Sequence, residues 1–454
     1  MTKMKVTLIE NIKHIKVVDG IMGSGKTSLA IQDMNAHPER RYIYISPFLD
    51  EAARIVRSCP ALDFREPDAS QYGTKSRHFH RLIEKGQNIS STHRMFEGIS
   101  TEVLDLLRVK NYHLILDEAI SVLYDYNMSG DTESRRWSTS HAATMTQNDV
   151  ETLVESGFLD VNDEGQVQWV GQRLSRYDKM RDLADRGTLY FVNDKALIWS
   201  FPEEVFSPSI FRTVTILSYQ FSYQMMSKYL EFFEIQYDKF YVEQDAEGKY
   251  FLLPYELGAR HEVEFRKLLK DRIHIVNDPK LNAMGDPVGG RINSLSKSWW
   301  ERNGGDAMET LNKNLTSFFR RVTASASERA WSTFVSEKKK VSGKFVNIKH
   351  WVPMNSRATN QYKAKTAIAY CINRYAHPNT VSFFTKRGLT LNHDEYATSE
   401  MLQFLFRFAI REKKPIDVYV PSFRMRELLK MFLNGEEPST FSSKTVKKEG
   451  LMEV

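Results

Sequence analysis

Short apolar runs separated by segments of helical period recur through the first half of the chain, the pattern of an α/β domain whose strands are buried on both faces. Residues 15–18 read as a strand, and 28–35 as a helix that begins just after a glycine-rich turn. Residues 41–46 (RYIYIS) form a second buried strand, broken by Pro47 before a helix starting near Leu49. Residues 75–96 hold a basic amphipathic helix (Arg77, His78, His80, Arg81, Lys85), followed by a strand ending in small polar residues at 88–93. A fourth strand ends in Asp117 and Glu118, and residues 213–220 (TVTILSYQ) form a late one before a helix near 225–233.

Between 129 and 211 the pattern changes to a polar stretch, a helix near 149–156 and two hairpins. One hairpin turns at Asn162-Asp163-Glu164-Gly165 and the other at Asn193-Asp194, so this region reads as an insertion. It carries Arg135, Arg136, Trp137, Arg173 and Arg176, a mixture suited to nucleic acid and also to an ordinary surface excursion. In the second half, Trp299 and Trp300 begin a helical region that runs to about 322, and the tryptophan pair reads as core. Residues 344–352 predict a strand, 355–360 a polar loop, 361–375 a helix, 398–411 a helix, 416–420 a strand and 422–434 a last helix. Beyond Gly435 the chain reads as a basic, flexible tail.

Candidate chemistry centres on Gly20-Ile21-Met22-Gly23-Ser24-Gly25-Lys26-Thr27, set between a strand and a helix. Gly20, Gly23 and Gly25 let the backbone curl so that amides from Met22 to Ser28 and the helix N-terminus face a polyphosphate. Lys26 adds a cation near the β and γ phosphates, and the Thr27 hydroxyl is placed to hold Mg²⁺. Some ninety residues on, Asp117 is expected to reach the metal and Glu118 to orient or deprotonate the attacking water. The polar strand ends at Ser46-Pro47 and Thr92-His93-Arg94, with the loop holding Arg357, Thr359 and Asn360, are candidate grips for a nucleic-acid backbone.

Composition narrows the classes. The chain has 454 residues, enough for two or three domains, with 41% hydrophobic and 26% charged residues, which excludes wholesale disorder. A net charge of +6 suits a polyanionic partner. Its two cysteines, Cys59 and Cys371, have neither disulfide-framework nor zinc-site spacing. No apolar run is long enough to span a bilayer and the first residues lack a signal-peptide core, so a cytoplasmic protein without a membrane partner is expected.

The ordered set GIMGSGKT, YISPF, SSTHRMF, LILDEA, TILSYQF, NSRATN and QFLFRFAIR resembles a superfamily 2 helicase. The first and fourth elements resemble motifs I and II of DEAD/DEAH-type enzymes, and the chain is similar to viral replication-origin-binding helicases. The resemblance implies two RecA-like lobes with parallel sheets, 1–235 with the 129–211 insertion and 236–434 with a helical insertion, followed by a flexible tail at 435–454. It implies ATP and Mg²⁺ in the cleft, with Gln403, Arg407 and Arg411 completing the site from the second lobe. It further implies a helicase or translocase on nucleic acid, DNA favoured over RNA, in phage or viral replication or recombination, with proteins of those processes as partners. Two departures stand out: TILSYQF replaces Ser-Ala-Thr, and the second arginine follows the first by four residues where the family has three. A DNA-packaging motor ATPase, a small-molecule kinase and a phosphate-loop module that hydrolyses nothing are the competing readings.

Overall fold

The computed structural model describes residues 13–70, 72–97, 99–125, 147–174, 177–192, 195–289, 291–322, 325–354 and 360–441. The chain divides into two units. The first comprises 1–18, 27–239 and 377–390, and the second 19–26, 240–376 and 391–454.

In the first unit the strands lie in the order Ile15–Asp19, Phe211–Ser218, Tyr112–Asp117, Arg41–Ser46, Ile89–Thr92. The last four pair in parallel. Parallel strands need crossover connections, and the helices Leu49–Ser58, Lys75–Glu84 and Thr101–Lys110 supply them. Ile43, Ile45, Leu114, Leu116, Val214 and Ile216 have no exposed surface, which explains their near-continuous apolar sequence. Ile45 pairs with Leu116, and Leu217 with Asp117, so Ser46, Asp117 and Ser218 finish on one edge of the sheet. That edge is where open α/β sheets bind ligands.

His113 illustrates how tightly this sheet is filled. Its Nδ1 lies 2.8 Å from the Thr213 hydroxyl, and burial, helped by the positive charges of Arg40 and Lys16, pushes its pKa down to about 4. The unfolded imidazole takes up a proton near pH 6.5, whereas the folded one resists until about 4. The stabilisation is therefore full above pH 6.5 and is lost as the pH falls toward 4. Urea midpoints at pH 7.5 and 5 are expected to drop more for the unmutated chain than for His113→Gln. Equal drops would show that His113 does not report on folding.

The excursion from the first sheet has a small core of its own, built from Leu153, Leu159, Val167, Met180, Leu183, Leu189 and Ile198. Both hairpins read from the sequence are present, Leu159–Val161 with Val167–Trp169 and Leu189–Val192 with Lys195–Trp199. Leu123–Asp125 adds a third strand to the second hairpin. The Pro378–Thr385 helix also belongs to the first unit: Phe383 stacks on Phe232 at 5.6 Å and meets Trp199 edge-on at 5.5 Å.

The second unit has a parallel sheet in the order Ile273–Ile275, Ile416–Tyr419, Ala367–Tyr370, Arg329–Ser332. Its core gathers Trp300, Leu311, Leu315, Phe318, Trp331, Cys371 and Tyr419, with Trp299 packed against it, so the tryptophan pair is core. The helix Lys297–Arg321 is bent at Gly304, whose φ of 25° departs from helical geometry.

Two expectations fail here. Residues 344–352 are not a strand: they hold only the turn Ile348–His350, tied to the sheet by a single Trp331–Trp351 bridge. Residues 361–375 are not a helix, because Ala367–Tyr370 is a fully buried strand with a parallel neighbour on each side. A short unbroken apolar run fits either state in isolation, and the neighbouring strands decide it. Among the described residues no helix is long and apolar enough to cross a membrane. Cys59 and Cys371 are free and buried.

Candidate functional site

The phosphate-loop sequence adopts the geometry that its glycines permit. After the Ile15–Asp19 strand the chain turns through a Ser24 N–H to Ile21 carbonyl bond of 3.1 Å and enters the Lys26–Ala36 helix. Gly23 and Gly25 have φ of 85° and 99°, values that side-chain-bearing residues rarely adopt. A β-carbon on Gly25 would also lie 2.1 Å from the Tyr250 ring, so this position admits glycine alone. Lys26 Nζ donates to the Gly20 carbonyl and, at 3.1 Å, to that of Ile21, which folds the ammonium over the loop. The Ser24 hydroxyl is buried without a hydrogen-bond partner. Curled backbone, ammonium and an unsatisfied hydroxyl are the donor-rich set that a polyphosphate requires. Met22 and Ser28 are half-buried on either side.

Thr27 and the acidic strand meet within the first unit. The Thr27 hydroxyl donates to Asp117 Oδ2 at 3.3 Å, and the Tyr44 hydroxyl donates to the same oxygen at 2.6 Å. Burial first, and the Asp117 charge second, hold the Tyr44 pKa well above 10, so Tyr44 remains a donor. His93 fixes the other end of the residue, its Nε2 lying 2.8 Å from the Asp117 carbonyl oxygen. A hydroxyl beside a carboxylate is a pair of hard oxygen ligands, which fits a divalent cation. Glu118 follows with a φ of 65°, unusual for a residue with a side chain, and its N–H donates to Leu217 O at 2.8 Å. Unusual backbone of this kind collects at functional sites.

The sequence reading overlooked Tyr44, which it took as one more residue of an apolar strand. The signal available was a hydroxyl-bearing residue two positions from the polar strand end. His93, read as a grip for nucleic acid, is buried against Asp117, and Ser46 is buried with its hydroxyl donating to Phe48 O at 2.9 Å. Pro47 and Thr92 are half-buried and Arg94 is exposed. Asn360 opens the Asn360–Tyr362 turn, while Arg357 and Thr359 lie outside the described residues, as do Arg135, Arg136, Trp137 and Arg176. Arg173 is exposed and occupied by Asp178 through bonds of 2.9 and 2.7 Å.

Gln403, Arg407 and Arg411 do not share one helix face, as the reading of 398–411 as a helix required. The helix His393–Leu405 ends before Arg407, and Arg411 lies in the separate turn Ala409–Glu412. The cause is aromatic packing and a backbone bond. Phe404 contacts Tyr370 at 5.3 Å and Phe408 at 5.0 Å, and Ala409 N–H donates to Lys365 O at 3.1 Å, which turns the chain out of the helix. Arg407 is 3% exposed and donates to Pro353 O at 3.2 Å, whereas Gln403 and Arg411 are half-buried.

These features define an α/β protein with two parallel sheets, the first carrying a glycine loop and an acidic pair at strand ends. The sequence matches the YonV C-terminal Rossmann-like domain over residues 267–433 and the YonV middle domain over 141–199. The SPbeta prophage-derived uncharacterized protein YonV of Bacillus subtilis (strain 168) is 32% identical over 442 residues, which cover 94% of this chain and 100% of that relative. The chain belongs to the YonV family. Two solved structures are similar over 97% of this chain and 96% of theirs: XPD_Helicase, at 9% identity and a TM-score of 0.35, and Xpd4 of S. tokodaii, at 10% and 0.39. Likeness at this level carries no argument about activity.

Proposed function

We propose that the chain is an ATP-dependent helicase or translocase acting on nucleic acid, DNA in preference to RNA, in phage genome replication or recombination. The observation that carries the ATPase part is the Thr27 hydroxyl 3.3 Å from Asp117, directly after a complete phosphate loop. In this reading the amides of residues 22–28 and Lys26 bind the triphosphate, and Thr27 and Asp117 would hold Mg²⁺, with Asp117 itself fixed by Tyr44 and His93. The Mg²⁺ ion, when bound, withdraws charge from the phosphate oxygens. Glu118 accepts a proton from water as the water oxygen bonds to the γ phosphorus. The bond from that phosphorus to the bridging oxygen breaks, leaving its electron pair on ADP.

The net charge of +6 and the exposed Arg94 support a polyanionic partner, and the prophage origin in the relative's name supports the phage setting. The test is ATP turnover alone and with single-stranded DNA, duplex, fork and RNA. Stimulation greatest on single-stranded or forked DNA is expected, with affinity falling as salt rises at a log–log slope of about −0.7 per phosphate contact on single strands. ATP binding without turnover on any of them would mark a phosphate-loop binding module instead.

A further inference from the structure

Residues 338–365 hold seven lysines and one arginine and no aspartate or glutamate, a charge of +8 within a chain whose net charge is +6. A block of that kind suits a polyanion. Its first part folds along the edge of the second sheet, where Arg329–Ser332 is the edge strand. A Trp331–Trp351 bridge locks it there, with Trp331 Nε1 donating to Asn347 O at 3.0 Å and Trp351 Nε1 to Thr333 O at 3.2 Å.

Aromatic rings hold the cations of this face. Arg320 and Arg329 lie over Phe345 at 5.3 and 4.2 Å and Lys338 lies over Trp351 at 4.4 Å, while both rings pack against the core. Lys365 Nζ donates to Arg329 O at 2.8 Å. Burial first, then the charges of Lys365, Arg329 and Lys349, lowers the pKa of His350, so positive charge converges here. Lys339, Lys344 and Lys349 are exposed, and among the described residues none of the three pairs with a carboxylate; the nearby Glu337 is taken by Lys340 at 3.2 Å. Arg329 and Ala367 are the first residues of paired parallel strands, so Arg329, Lys365 and Lys349 gather at the end of the sheet opposite to the one where open α/β sheets take their ligands.

We propose that this basic face of the second unit binds the sugar–phosphate backbone of double-stranded nucleic acid without reading its sequence. Rings that pack on the core and are overlain by cations offer no platform for unpaired bases, whereas exposed point charges suit the dense phosphates of a duplex, one per about 1.7 Å of axis. The inference deepens the nucleic-acid reading above and rests on it, the duplex being an unopened arm of the same substrate.

The test is fluorescence anisotropy on the full chain with two labelled duplexes of different sequence and an oligo-dT of equal length, over a series of salt concentrations. The triple variant Lys339→Gln/Lys344→Gln/Lys349→Gln removes three exposed charges and should leave the Tm and the ATP turnover without nucleic acid unchanged. Duplex affinity is expected to fall about tenfold or more at low salt, equally for both sequences, with the log–log salt slope shallower by about 0.9 for each lysine lost. Oligo-dT affinity should hold, and the corresponding triple arginine variant should keep duplex affinity and slope. Unchanged duplex affinity and slope in the glutamine variant, with the unmutated chain binding duplex, overturn this inference alone. Equal losses on duplex and oligo-dT also overturn it, since they mark a general strand grip, and so does a variant that loses only binding to phosphatidylserine vesicles. An unmutated chain that binds neither duplex nor single strand brings down both readings.

Discussion

Replacing Lys26 with alanine is expected to lower ATP turnover by about 10³-fold or more, the scale seen when a preorganised charge at a transferring phosphoryl group is removed. The half-buried ammonium donates to the Gly20 and Ile21 carbonyls, so it sits above the loop that is read as the phosphate cradle. Losing those two bonds costs on the order of 1–2 kcal/mol each, which lowers the melting temperature and leaves the fold in place. Lys26→Arg should not restore turnover, because a planar fork does not fit where a compact ammonium is held between two carbonyls. Turnover and circular-dichroism melts on the same preparations provide the check. Unchanged turnover in folded Lys26→Ala protein would refute the assignment of the loop.

Glu118→Gln should show the opposite division, with nucleotide affinity nearly unchanged and turnover lower by about 10²–10⁴-fold, the usual contribution of a general base. The amide keeps the length and shape of the side chain and the left-handed backbone at φ 65°, so the Asp117 cluster with Thr27, Tyr44 and His93 should be undisturbed. Only the capacity to take a proton is removed. A fluorescent-nucleotide titration beside a turnover assay separates the outcomes. Loss of binding together with hydrolysis would make Glu118 a metal ligand or a structural group.

Much of this was legible in the sequence, for local reasons. A glycine at φ 99° and another at 85° can be inferred from GIMGSGKT because few residues other than glycine take those values. The first sheet's strands other than Ile89–Thr92 could be read because they are short, largely apolar runs bounded by turns, and the carboxylates of Asp117 and Glu118 because they end such a run. The two hairpins of the excursion followed from alternation about Asn162–Gly165 and Asn193-Asp194. These are properties of segments a few residues long, set by backbone sterics and the period of burial.

Other features depend on partners distant in the chain. Ala367–Tyr370 became a strand because parallel neighbours at Arg329–Ser332 and Ile416–Tyr419 were there to satisfy its backbone. The helix holding Gln403 stopped at Leu405 because Tyr370 and the Lys365 carbonyl drew Phe404, Phe408 and Ala409 into other packing, which separated three residues that helical spacing alone would align. Tyr44 and His93 came to Asp117 across 73 and 24 residues, and Pro378–Thr385 returned to the first unit through Phe383. The sequence by itself determined the loop, the acidic pair and most strands of the first sheet, since short-range sterics and periodicity suffice for these. The contacts of Tyr44 and His93 with Asp117 and the end of the Gln403 helix were decided by tertiary structure alone, because each depends on which distant groups share one buried volume.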